Sequence, residues 1–234
     1  MKNRFEFTFA IVAMGVFFAI QALALPANAA AIQQDSEEGL GNEKELLSSV
    51  RQLTFDGRRA GEGYYNAEGT KMVFQSERDP ANPFFQIFMM DFEFGDVTPV
   101  SPGHGKTTCA WIHPNNKQVL FSSTHDDPEA KKKQRTEIEF RESGQERRYS
   151  WDYDENYEMY AFDIASKKYT RLTNIEGYDA EGSYSPDGKL IAFASNRKAY
   201  SEKMSEDQQE KFDLDPAYMM DIFVMNADLS LIHI

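Results

Sequence analysis

Ser185-Pro186-Asp187-Gly188-Lys189-Leu190-Ile191-Ala192-Phe193 joins a turn signal to a strand signal in nine residues. It opens with a tight turn. Pro186 presets φ at the first turn position, Asp187 can bond its own backbone, and Gly188 accepts positive φ. The run that follows is apolar and contains β-branched and aromatic residues, the composition of a strand. Gly182-Ser183-Tyr184 lies just before the turn, so the whole reads as a hairpin.

Two earlier segments repeat this plan. Gly63 to Phe74 and Ala110 to Phe121 align with Gly182 to Phe193 on their terminal phenylalanines. Their turns read Asn66-Ala67-Glu68-Gly69 and Pro114-Asn115-Asn116, and Asn116 stands where the other copies carry glycine. A third strand is predicted after each hairpin, at Gln86–Asp91, Glu158–Asp163 and Asp221–Asn226. Short fourth strands are expected at Thr98–Ser101 and Thr170–Thr173, with an earlier copy at Arg51–Thr54. Strands such as Leu190–Ala194 are apolar on both faces, as stacked sheets require. The predicted fold is therefore all-β: a β-propeller of four-stranded antiparallel blades, about three of them and incomplete, with helical insertions. Phe74 and Phe121 are 47 positions apart, close to the ~40–45 of one blade. Phe121 and Phe193 are 72 apart, which places an insertion of about 25 residues in the second blade.

The run Ser185 to Arg197 closely resembles the repeat of the TolB-like periplasmic β-propellers. So do Arg171-Leu172-Thr173 before it and Asp221 to Asn226 after it. The resemblance covers roughly Arg51 to Asp228 and concerns the propeller alone, since the repeats begin where TolB would still have its preceding α/β domain. It implies an exported binding or scaffolding module of the cell envelope that works through protein or peptide contacts. Similar repeats also precede catalytic domains in secreted peptidases, so a substrate-gating propeller is the alternative.

Composition agrees. The 234 residues carry a formal charge of −13, which repels phosphate backbones and argues against a nucleic-acid partner. Lys2 and Arg4, an apolar run from Phe7 to Leu25, and Ala27-Asn28-Ala29 follow the order of a secretory signal. Cleavage is expected between Ala29 and Ala30, and the product is periplasmic or secreted, touching the membrane only during export. Residues 30–48 read as a flexible lead-in and 49–228 as the partial propeller. Cys109 is the sole cysteine, so no internal disulfide exists. It reads as a buried, inert thiol. Leu229 to Ile234 is what CTG TCT CTT ATA CAC ATC encodes, a common transposase adapter. That tail is expected to be adapter-derived and the natural chain to continue beyond it.

Two insertions interrupt the blades. Residues 126–149 include a charged, helix-favouring run, Pro128 to Glu142, read as a solvated helix whose only large apolar residues are Ile138 and Phe140. In residues 198–217, Ser205 is an expected N-cap, with Glu206 and Asp207 in the first turn and Pro216 beyond the end.

No catalytic, cofactor or metal motif emerges from this sequence. H-E-x-x-H and G-x-S-x-G are missing, and His125-Asp126-Asp127 reads as a polar loop. Asp152, Asp154 and Glu155 lack the glycine and distal glutamate of a calcium loop. A binding surface is expected at the channel mouth, where loops lead into each innermost strand. Its candidates are Arg59, Glu62, His104, Lys106, Tyr178, Asp179 and Glu181.

Overall fold

The computed structural model describes residues 46–147 and 151–228, and the backbone of 232–233. The expected cleavage site, Ala29 and Ala30, lies outside the described residues. The chain divides after Leu53 into two compact units, and every described strand belongs to the second.

Three four-stranded antiparallel sheets form that unit. The first contains β1 (Arg59–Tyr65), β2 (Lys71–Glu77), β3 (Gln86–Asp91) and β4 (Val97–Pro99). The second contains β5 (Thr107–Ile112), β6 (Gln118–Ser123), β7 (Glu158–Asp163) and β8 (Tyr169–Arg171). The third contains β9 (Asp179–Tyr184), β10 (Leu190–Ser195), β11 (Asp221–Asn226) and β12 (Ile232–His233). Within each sheet the strands neighbour one another in chain order, which is the blade pattern of a propeller. The three aligned phenylalanines occupy one position per blade. Each stacks on an aromatic opposite it in the third strand: Phe74 on Phe88, Phe121 on Tyr160, Phe193 on Phe223.

The cores lie between blades. Val73, Ile87 and Met89 of the first sheet pack with Ile112, Val119, Phe121 and Phe162 of the second. Leu120 and Met159, on the other face of the second sheet, pack with Ile191, Phe193, Phe223 and Met225 of the third. The second blade is thus buried on both faces, as its doubly apolar strands require.

The decisive turn forms as its residues dictate. Gly188 has φ +73°, Ser185 Oγ lies 2.6 Å from Asp187 Oδ1, and Leu190 N donates to Ser185 Oγ at 3.0 Å. Asn116 takes the same left-handed conformation at φ +59°. The turns also fasten the blades together. Asn66 Nδ2 donates to Asn116 Oδ1 at 3.1 Å, and His113 Nε2 lies 3.2 Å from the Gly188 carbonyl oxygen.

Two expectations need correction, and one short helix was not foreseen. Arg51–Thr54 forms no strand: each described sheet draws its four strands from residues further along the chain, leaving this segment no ladder there. The first insertion does contain a helix, α1 (Ala130–Glu142), but it is docked rather than solvated. Its buried face is Ala130, Gln134 and Glu137, while Ile138 and Phe140 stay half-buried. Polar bonds seat it across to the first blade: Gln134 accepts from Gly105 N (2.9 Å) and donates to the Ala81 carbonyl (3.1 Å), and Arg141 pairs with Glu77 at 2.7 Å. A hydrophobic-pattern reading misses a helix held this way. In the second insertion a short helix, α2 (Arg197–Ser201), precedes the expected one. That helix, α3 (Glu206–Leu214), starts at a Ser205–Gln208 capping box and buries none of its residues.

Candidate binding site

The innermost strands β1, β5 and β9 lie side by side, and each carries a β-bulge at the same place. Two residues oppose the aligned phenylalanine in every blade: Glu62-Gly63 face Phe74, Cys109-Ala110 face Phe121, and Glu181-Gly182 face Phe193. The first bulge residue is left-handed each time, with φ +52° at Glu62, +34° at Cys109 and +58° at Glu181. Glycine usually fills such a position, and another residue there stores about 1–3 kcal/mol of strain. A bulge re-aims its side chain. Here the three side chains converge: Cys109 Sγ lies 2.6 Å from Glu181 Oε2 and 3.2 Å from Glu62 Oε2.

Tyrosines complete the cluster. Tyr64 OH donates to Glu62 (3.1 Å) and Tyr178 OH to Glu181 (2.8 Å). Burial first, and the Glu181 carboxylate next, push both the Cys109 thiol and the Tyr178 phenol well up. Tyr64 is raised to about 12, again chiefly by burial. The thiol is thus protonated at neutral pH and no nucleophile, in line with the sequence reading.

Glu62, Tyr178 and Glu181 open into a cavity of about 390 Å³ that Arg59, Gln75, Trp151 and Tyr157 also line. Trp151 and Tyr157 meet Tyr178 edge-on, with ring centroids 5.0 and 5.2 Å apart, and form an aromatic wall. The cations near it are engaged elsewhere. Arg59 bonds Glu77 at 2.8 Å and lies over the Phe85 ring, Arg141 bonds Glu77 and Glu137, and Arg147 bonds Glu137. Glu62 and Glu181 have no salt bridge among the described residues.

Of the seven channel-mouth candidates, the fold brings together Arg59, Glu62, Tyr178 and Glu181. The other three go elsewhere. His104 lies against the His125 carbonyl at 3.2 Å. Lys106 reaches the Tyr153 carbonyl (2.9 Å) and the buried Asp154 (3.3 Å). Asp179 is fully buried and pairs with Arg197 and Ser195, so its work is structural. Asp154 likewise anchors Lys133 of α1. His125 Nε2 stands 3.8 Å from Asp126 Oδ1, but Asp126 also accepts from Tyr160 OH at 2.8 Å and Asp127 turns to Lys133. Cys109 was the residue missed. The repeats did hold its signal, because Glu62, Cys109 and Glu181 each stand one place before an aligned segment.

Sheets of this topology, stacked face to face with bulged inner strands, define a β-propeller. No known family profile matches the chain. Among solved structures it is similar to TolB from Acinetobacter baumannii, with TM-score 0.50 and 18% identity over 79% of this chain and 34% of that one. A protein assigned as TolB from Agrobacterium tumefaciens matches with TM-score 0.50 and 15% identity over 78% of this chain and 50% of that one. A looser likeness, TM-score 0.45 at 15% identity, is to the tricorn protease, over 72% and 14%. The chain therefore has a TolB-like propeller fold and spans between a third and a half of those two TolB chains.

Proposed function

We propose that this chain is part of an exported β-propeller that binds a protein or peptide partner at the inner-strand face. One observation carries the reading: four residues from two blades, Arg59, Glu62, Tyr178 and Glu181, meet in a single cavity with an aromatic wall. Two carboxylates without salt-bridge partners among the described residues, beside Trp151, suit a segment bearing both cationic and apolar side chains. No helix among the described residues is long and apolar enough to cross a membrane.

The reading is tested in the exporting cell. A photo-crosslinking residue is placed at Trp151, on the cavity wall, and in a second strain at Thr170, on the exposed outer strand β8. A defined protein adduct from position 151 alone, lost in Glu181→Lys, is expected. Equal adducts from both positions, or none from 151, overturn it. N-terminal sequencing of the exported chain should begin at Ala30; an intact Met1 in the envelope fraction would refute the cleavage site.

A further inference from the structure

We propose that Glu62, Cys109 and Glu181 form a binding site for one divalent transition-metal cation of the zinc type, built from the three equivalent bulges of neighbouring blades. The inference goes beyond partner binding and does not depend on it.

The donor set comes first. Each residue offers one ligand atom, and these atoms lie within 4.8 Å of one another. Thiolate sulfur with two carboxylate oxygens suits Zn²⁺ and its neighbours; Ca²⁺ and Mg²⁺ take oxygen alone. Charge points the same way. Two carboxylates converge on a thiol with no salt-bridge cation among the described residues, and a divalent ion would relieve their repulsion.

A separate observation concerns Gln75. This residue is 8% exposed, stands opposite Gly61 in the β1–β2 ladder next to Glu62, and lines the same cavity. Its Oε1 is fully buried and accepts no hydrogen bond from the described residues. A buried acceptor left unpartnered costs about 1–3 kcal/mol. An ion held in this cavity, or a water on it, would supply the missing partner. Access is open, because both glutamates are exposed to the cavity while the sulfur is buried behind them.

Binding exchanges one proton for one ion. The Cys109 S–H bond breaks as the metal–sulfur bond forms, and the proton passes to buffer. Oxidation states do not change.

The test uses the whole chain, freed of metal by a chelator. Zn²⁺ calorimetry in buffers of different ionisation enthalpy should give one ion and about one proton released per chain. Co²⁺ should bring a thiolate-to-cobalt charge-transfer band in the near ultraviolet. Cys109→Ser should abolish the band and weaken Zn²⁺ binding at least tenfold. The isosteric Glu62→Gln and Glu181→Gln, folded by circular dichroism, should each weaken it tenfold and keep the band. Absence of the cobalt band, unchanged affinity in the glutamine variants, or Ca²⁺ bound as tightly as Zn²⁺ would each overturn the proposal.

Discussion

Gly188 shows how one residue serves two purposes. Its φ of +73° closes the turn, and a Cβ there would stand 2.7 Å from Nε2 of His113 on the next blade. Gly188→Ala therefore meets backbone strain and an inter-blade clash together. It should lower stability by about 1–3 kcal/mol in urea unfolding. The neighbouring Lys189→Ala, on a side chain 81% exposed, should stay within about 0.5 kcal/mol. Equal effects at the two positions would refute this account of the turn. The bulge residues obey the same local rule in reverse. Glu62, Cys109 and Glu181 hold a conformation that glycine would take at lower cost, and the fold keeps side chains there.

At the scale of the element, α1 is held by polar contacts, so its attachment depends on pH. Asp154 is buried, which works against its charge. The hydrogen bonds from Lys133 and the charges of Lys106 and Lys133 outweigh that, and its carboxyl titrates below the ordinary range. A depressed carboxylate stabilises the fold fully above its unfolded pKa of about 3.9, and the gain is lost as pH falls through the folded value. The melting temperature should thus be level near neutrality and fall steeply below about pH 4. Asp154→Asn should lower the plateau and flatten that acid limb; an unaltered acid limb would exclude Asp154 as its source. Gln134→Ala removes the acceptor for the Gly105 amide and should cost about 1–3 kcal/mol, with faster amide exchange in residues 103–107.

For the whole molecule, stability resides in the inter-blade layers. Phe121 is 1% exposed in the layer between the first two blades, and Phe121→Ala should cost about 3–5 kcal/mol. The outer face of the third blade is different. Ile222 is 73% exposed and Leu190 40%, and the two bracket a strip with Ala192 and Ala194 opposite Val224 and Ile222. An apolar strip of this kind invites association. Light scattering should show the chain aggregating with concentration, and Ile222→Lys should suppress this without lowering the melting temperature. A monodisperse wild-type monomer would contradict the prediction.

The blade is written in local sequence. Turn chemistry and strand composition are local, so the hairpins, the third strands at 86–91, 158–163 and 221–226, and the Ser205 cap were legible residue by residue. Placement across blades arises from long-range packing. A one-residue bulge turns Cys109 towards Glu62 and Glu181, 47 and 72 positions away, and no local propensity records that convergence. The seat of α1 was equally hidden, because its partners Glu77, Ala81 and Gly105 lie far from it in sequence and bind it through hydrogen bonds rather than an apolar stripe. Short-range physics writes the strands into the chain, whereas the bulges and polar contacts that gather one site from three blades exist only once the sheets have stacked.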